Sequence, residues 1–154
     1  MKLSLKKGFN LVELLIIIAV LSLIAFGSVS VFINFRNQQG LDKDTETIVE
    51  ILQQARSQTL TSQNDSQYGV HISATKITLF TGSSYSSSDL SNKDYPLTLS
   101  DTVLNVSLSG GGNEVIFQRL SGETSQSGTI TLASSATGES KTIKIYKTGL
   151  IESL

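Results

Sequence analysis

The stretch Lys6-Lys7-Gly8-Phe9-Asn10-Leu11-Val12-Glu13-Leu14-Leu15-Ile16-Ile17-Ile18-Ala19-Val20-Leu21 sets a short basic leader directly against an apolar run. One acid, Glu13, lies inside the run, and it is the only ionisable side chain from Phe9 to Phe35. A membrane-spanning helix needs about 20 apolar residues, and residues 9–35 supply them. A carboxylate within lipid costs about 2.5–3.5 kcal/mol even on lenient insertion scales, so Glu13 needs a partner. Its own helix offers no cation within one turn. Lys2, Lys6 and Lys7 precede the run, which marks that end as cytoplasmic and puts everything after Arg36 on the other side of the membrane. Gly27-Ser28 are small enough to loosen the helix or to let a neighbouring helix approach.

A cleaved secretory signal and a plain signal anchor are the rival readings of this terminus. A secretory signal also has a basic start and a short apolar core, and Ala25-Phe26-Gly27 would have to serve as its cut site. Three features oppose it. Glu13 interrupts the core, apolar character resumes at Val29, Val31, Phe32, Ile33 and Phe35, and a helical pattern then runs on into polar sequence.

In that continuation Leu41, Ile48, Leu52 and Ala55 recur at the spacing of one helix face, with Val49 and Ile51 widening the stripe. Asp42, Asp44, Glu46, Glu50, Gln53 and Gln54 fall on other faces. The spacing predicts one helix from about Phe9 to Thr61: residues 9–35 in the membrane, residues 36–61 amphipathic and packed on a sheet. Ser62-Gln63-Asn64-Asp65-Ser66 ends it.

Strands follow in residues 62–154. Tyr68–Ser73 and Lys76–Thr81 form an expected hairpin, in which Ile77, Leu79 and Thr81 alternate with Lys76, Thr78 and Phe80. Residues 82–92 hold six serines and read as a long exposed loop, functional or mobile. Val103–Ser109, Glu114–Leu120, Gly128–Ala133 and Lys141–Lys147 are further expected strands. Gly110-Gly111-Gly112 is a flexible turn, and Gly149-Leu150-Ile151 closes the chain. A helix followed only by strands predicts an α+β fold, with the helix covering one sheet face.

Composition excludes several chemistries. The 154 residues contain no cysteine, so cysteine zinc sites and thiol nucleophiles are ruled out. Without disulfides the domain depends on its core. Charged residues are 16% of the chain, and setting aside the three leader lysines leaves 9 basic against 13 acidic side chains. That balance opposes whole-domain attraction to nucleic acid. His71 is the single histidine and reads as a structural or surface residue on a strand. No nucleophile elbow is present. The Gly110–112 run lacks the lysine-serine pair of a phosphate loop. Asp42, Asp44 and Glu46 resemble the start of a calcium loop, but Thr47 stands where that loop needs glycine, and the acids read as a solvated helix face. Neither catalytic residues nor a metal, nucleotide or cofactor site is expected. Lys141, Lys144 and Lys147 form a small basic cluster, readable as ordinary strand lysines or as a DNA contact.

The N-terminal segment resembles the class III signal of type IV prepilins and type II secretion pseudopilins. The resemblance implies cleavage of the leader, residues 1–8, between Gly8 and Phe9 by a prepilin peptidase, and N-methylation of Phe9. It also implies that Glu13 neutralises the Phe9 amine of a neighbouring subunit in a helical filament. Farther on, Gln54-Ala55-Arg56-Ser57, Phe117 with Gly122, Gly128-Thr129-Ile130-Thr131-Leu132, and Ile143-Lys144-Ile145 with Gly149-Leu150-Ile151 resemble the GspH/FimT family of H-type minor pseudopilins and related minor pilins. That family implies a type IV pilin fold, in which the long N-terminal helix packs on an antiparallel β-domain. It implies a structural subunit, not an enzyme, of a secretion pseudopilus or a pilus. Its partners would be other pilins, an inner-membrane assembly platform and membrane lipid, with a separate cytoplasmic ATPase supplying energy. The location implied is the cytoplasmic membrane, single-pass, with residues 62–154 outside the cytoplasm. The other function in view is a tip minor pilin that binds DNA or a surface.

Overall fold

The computed structural model describes residues 10–98 and 100–154, without the side chains of 27–34 and 37. The leader and the Gly8–Phe9 bond lie outside the described residues. Helix α1 spans Leu11–Leu60. Eight strands follow: β1 (Tyr68–Ile72), β2 (Lys76–Thr81), β3 (Lys93–Pro96), β4 (Asp101–Leu108), β5 (Glu114–Ile116), β6 (Gly128–Ser134), β7 (Ser140–Ile145) and β8 (Ile151–Ser153). The chain divides into two units, one up to Arg36 and one from Asn37 to Leu154.

The second unit is α+β with two antiparallel sheets, ordered β3-β2-β1-β5 and β4-β6-β7-β8. One sheet under the helix was the sequence expectation; two are present. The division follows from β5. It comes directly after β4 in the chain but pairs with β1, with Val70 opposite Val115. The chain makes that change of sheet through Gly110, Gly111 and Gly112, whose φ angles of 88°, 75° and 81° lie where side-chained residues are strained.

The helical stripe predicted from spacing is buried. Leu41, Ile48, Ile51, Leu52 and Ala55 are each 3% exposed or less and pack with Val70, Ile77, Phe117, Ile130, Leu132 and Ile143 from both sheets. Burying a side chain of this kind stabilises by about 1.5–3 kcal/mol, which is how a cysteine-free domain holds together. The helix end is tied to β1 by Thr59, whose hydroxyl accepts from the Tyr68 N–H at 3.0 Å. A 3-10 turn, Gln63–Asp65, follows α1 in the segment expected to end it.

Three strand expectations change. Residues 93–96 form β3, outside the strands expected from alternation. Its Lys93, Asp94 and Pro96 suit an outer strand, where charge and a missing N–H are tolerated. The Glu114–Leu120 strand stops at Ile116, because Gln118 and Gly122 close a turn by a 2.9 Å backbone bond. Finally, β2 is buried on both faces from Ile77 to Phe80. The second cover comes from the serine-rich segment 82–92. Its Tyr85 stacks on His71 with ring centroids 3.9 Å apart and meets Phe80 edge-on at 5.8 Å. The segment is therefore anchored, not merely an exposed loop, although Leu90 stands wholly in solvent.

Candidate functional site

In the first unit the feature with chemical content is Glu13, in the first turn of α1. It is exposed, as is every described neighbour from Leu11 to Phe26. Leu14, Leu15, Ile16 and Ile17 around it are 52%, 57%, 59% and 41% exposed. An unbroken apolar surface of this kind needs cover from lipid or protein. Among the described residues no helix is long and apolar enough to cross a membrane. The described apolar run, residues 11–26, has 16 positions where a span needs about 20. The other members of the expected span, Phe9 and the side chains of 27–34, lie outside the described residues.

In the second unit, Arg56 joins the end of α1 to two loops. Its Nε donates to the Gly122 carbonyl at 3.1 Å and its Nη2 to the Thr148 carbonyl at 3.2 Å. A Cβ on Gly149 would collide with the Gly122 carbonyl and lie 2.6 Å from Arg56 Nε, and its φ is 77°. Gly122, with φ 64°, has Leu60 3.0 Å from the place of its missing Cβ. Arg56, Gly122 and Gly149 are thus one junction, and its glycines are glycine for steric reasons. Nothing in the spacing of Arg56, Gly122 and Gly149 along the sequence shows this contact. Beside it lies a hollow of about 190 Å³ lined by Gln53, Arg56, Ser57, Leu60 and Leu150.

The basic cluster separates. Lys141 shares the inward face of β7 with Ile143 and Ile145, and its ammonium bonds Asp42 on α1 at 2.7 Å. That bond raises the lysine pKa. Lys144 points the other way and lies over the Tyr146 ring, 4.8 Å from its centre. Tyr146 in turn donates to Glu152 at 2.9 Å. Lys144, Tyr146 and Lys147 share a hollow of about 330 Å³ with Ser109, Ser127 and Thr129. The structure therefore brings together Lys144 and Lys147 and removes Lys141.

His71 faces Glu114, its Nδ1 3.7 Å from the carboxylate, and supports Tyr85, whose N–H donates to Glu114 at 3.3 Å. This is the anchor of the serine-rich segment. The three acids of the supposed solvated face diverge, as helical spacing requires, but not all to solvent. Asp42 meets Lys141 and Glu46 is exposed, while Asp44 is buried and accepts two bonds from Thr98. Partner contact is the reason: Thr98 lies 54 positions away in sequence. Among the described residues no group of three or more metal-ligating side chains is present.

A helix whose stripe is sealed by two antiparallel sheets, with an arginine clamping its end to paired glycine turns, defines a small α+β domain. A family model described as Type II transport protein GspH matches residues 44–149, which takes in α1 from Asp44 and all of the arginine–glycine junction. The chain belongs to the GspH family. No curated protein and no solved structure matches it.

Proposed function

We propose that the chain is a minor subunit of a type II secretion pseudopilus or a related type IV pilus. It is built into the filament through its N-terminal helix after cleavage at Gly8–Phe9. Before assembly residues 9–35 sit in the cytoplasmic membrane, with the lysines of the leader inside and residues 62–154 outside the cytoplasm. In the filament the same apolar surface packs on neighbouring helices. Glu13 then determines register. A carboxylate within an apolar bundle is costly when unpaired, so docking is favourable only where it meets the methylated Phe9 amine of the next subunit. Prepilin peptidase, the assembly platform and other pseudopilins are the partners this reading requires.

The observation that carries it is Glu13, the one ionisable side chain among the described residues 11–26, in a chain of the GspH family. Glu13→Ala tests it. Processing and membrane insertion should persist while incorporation into filaments, measured by shearing and immunoblotting, is lost. Normal incorporation would refute the reading. Gly8→Val should stop cleavage, since the peptidase needs a residue without bulk there.

A second reading rests on the hollow holding Lys144 and Lys147 beside the Tyr146 ring. At a filament tip this surface would bind DNA or another polyanion, weakly and with strong salt dependence. Replacing both lysines by Ala should abolish any DNA retardation, whereas Lys141→Ala should not.

A further inference from the structure

Residues 82–92, between β2 and β3, are pinned at Tyr85 to the face of the first sheet that is turned away from the core. The Tyr85 ring stacks on His71 of β1, with centroids 3.9 Å apart and planes 10° from parallel, and meets Phe80 of β2 edge-on at 5.8 Å. Its backbone N–H donates to Glu114 Oε2 of β5 at 3.3 Å. From Ser83 to Asn92 this is the one hydrogen bond that leaves the segment among the described residues. The others run inside it: the Asp89 N–H donates to the Ser86 carbonyl at 3.2 Å, the Asn92 N–H to the Asp89 carbonyl at 3.3 Å, and Asn92 Nδ2 to the Ser86 carbonyl at 2.7 Å. The segment is a self-braced strap with a single pin.

Under the pin, one carboxylate serves two neighbours. His71 and Glu114 stand opposite each other in the β1–β5 pairing. His71 Nδ1 is enclosed, has no hydrogen-bond partner and lies 3.7 Å from Glu114 Oε1. One carboxylate oxygen therefore faces the imidazole while the other holds the strap. The remaining charged groups around the pin are committed elsewhere. Thr78 of β2 stands opposite His71, and its hydroxyl donates to Asp94 Oδ1 of β3 at 2.6 Å. Lys76 of β2 bonds Asp94 Oδ2 at 2.7 Å, which holds the lysine pKa up and the Asp94 pKa down. Within the strap the Ser91 N–H donates to Asp89 at 2.8 Å and holds that carboxyl down. Lys93 of β3 is exposed. Lys76, Asp89 and Asp94 thus keep their charges between about pH 5 and pH 8, the range in which histidine side chains change theirs.

We propose that the charge on His71 sets the hold of this strap: the protonated imidazole pairs with Glu114 and stacks as a cation on Tyr85, so that residues 82–92 are held down in mild acid and released as pH rises. A neutral imidazole has one N–H; a charged one has two, and the enclosed Nδ1 then becomes a donor beside Glu114. Pairing at Oε1 fixes the carboxylate whose Oε2 accepts from Tyr85. A cation against an aromatic face adds electrostatic attraction. Both effects act on the one pinning residue, and both vanish with the proton. Release of the strap uncovers Phe80, which is 1% exposed beneath it. That ring lies across β1 at Gly69, where a Cβ would come 2.5 Å from it. Phe80 stands outside the core cluster, so the two sheets stay closed when the strap lifts. The inference is independent of the assembly reading.

The test is hydrogen exchange across residues 82–92 of the full chain in non-ionic detergent, from about pH 5 to about pH 8, corrected for the intrinsic pH dependence of exchange. Protection of the segment should fall about two- to fivefold as pH rises, the size expected of a partly exposed ion pair, while β6 stays protected. Glu114→Gln can still accept from the Tyr85 N–H but carries no charge, and His71→Phe keeps a ring under Tyr85 without one. Both should flatten the profile. A flat wild-type profile would overturn the proposal. So would a slope that persists undiminished in either variant, because the titrating group would then lie elsewhere. If one variant fails to fold, seen as lost protection in β6, the other provides the same comparison.

Discussion

Leu14 and Leu52 are the same residue on the same helix, and they meet opposite surroundings. Leu14 is 52% exposed and Leu52 0%. Leu52 belongs to a buried cluster that the chain supplies itself, with Val70 from one sheet and Ile130 and Ile143 from the other. Around Leu14 all the described neighbours are exposed as well. Periodicity also separates the two regions. A stripe with polar residues between its members predicts burial against the molecule's own strands; apolar residues on all faces predict burial against something else. Glu13 belongs to the second kind of region, so its energetics depend on what that cover contains.

The comparison is broken or sharpened by substitutions of graded effect. Leu52→Ala should cost the domain about 2–5 kcal/mol through transfer and cavity terms. Leu14→Ala should leave the unfolding midpoint of the domain unchanged and weaken assembly. If both lowered the midpoint equally, the division of the helix into two environments would fail. Gly149→Ala should cost about 1–3 kcal/mol, because it combines a left-handed backbone with a collision at Gly122. Arg56→Ala in that background should add less than it does alone, since both act on one junction. Tyr85→Ala should remove about 0.5–1.5 kcal/mol of ring contact. Its effect should be concentrated in faster hydrogen exchange across residues 82–92. Smallest is Lys76→Ala, an exposed pair with Asp94, for which no resolved change in midpoint is expected.

Much of this was legible in the sequence. Leu41, Ile48, Leu52 and Ala55 announced the buried helix face, and alternation located most of the β1–β2 hairpin, β6 and β7. What escaped depended on distant partners. Asp44 reads as one more solvated acid because nothing local shows that Thr98 closes over it. Lys141 looked like a companion of Lys144, although residues three apart on a strand face opposite ways. The β3 strand hid behind charge and proline, which mark an edge as readily as a loop. Tyr85 does carry a signal in the sequence: it is the one aromatic among the six serines of residues 82–92, and an aromatic is the residue able to anchor such a segment. Arg56, Gly122 and Gly149 were visible as a pattern, but their mutual contact required the fold.

The central claim concerns the N-terminus, and N-terminal sequencing with intact mass of the protein from its native membranes tests it most directly. The account predicts a chain beginning at N-methylated Phe9. A chain beginning at Met1 with the peptidase present and active, or near Phe26 or Ser28, would contradict it.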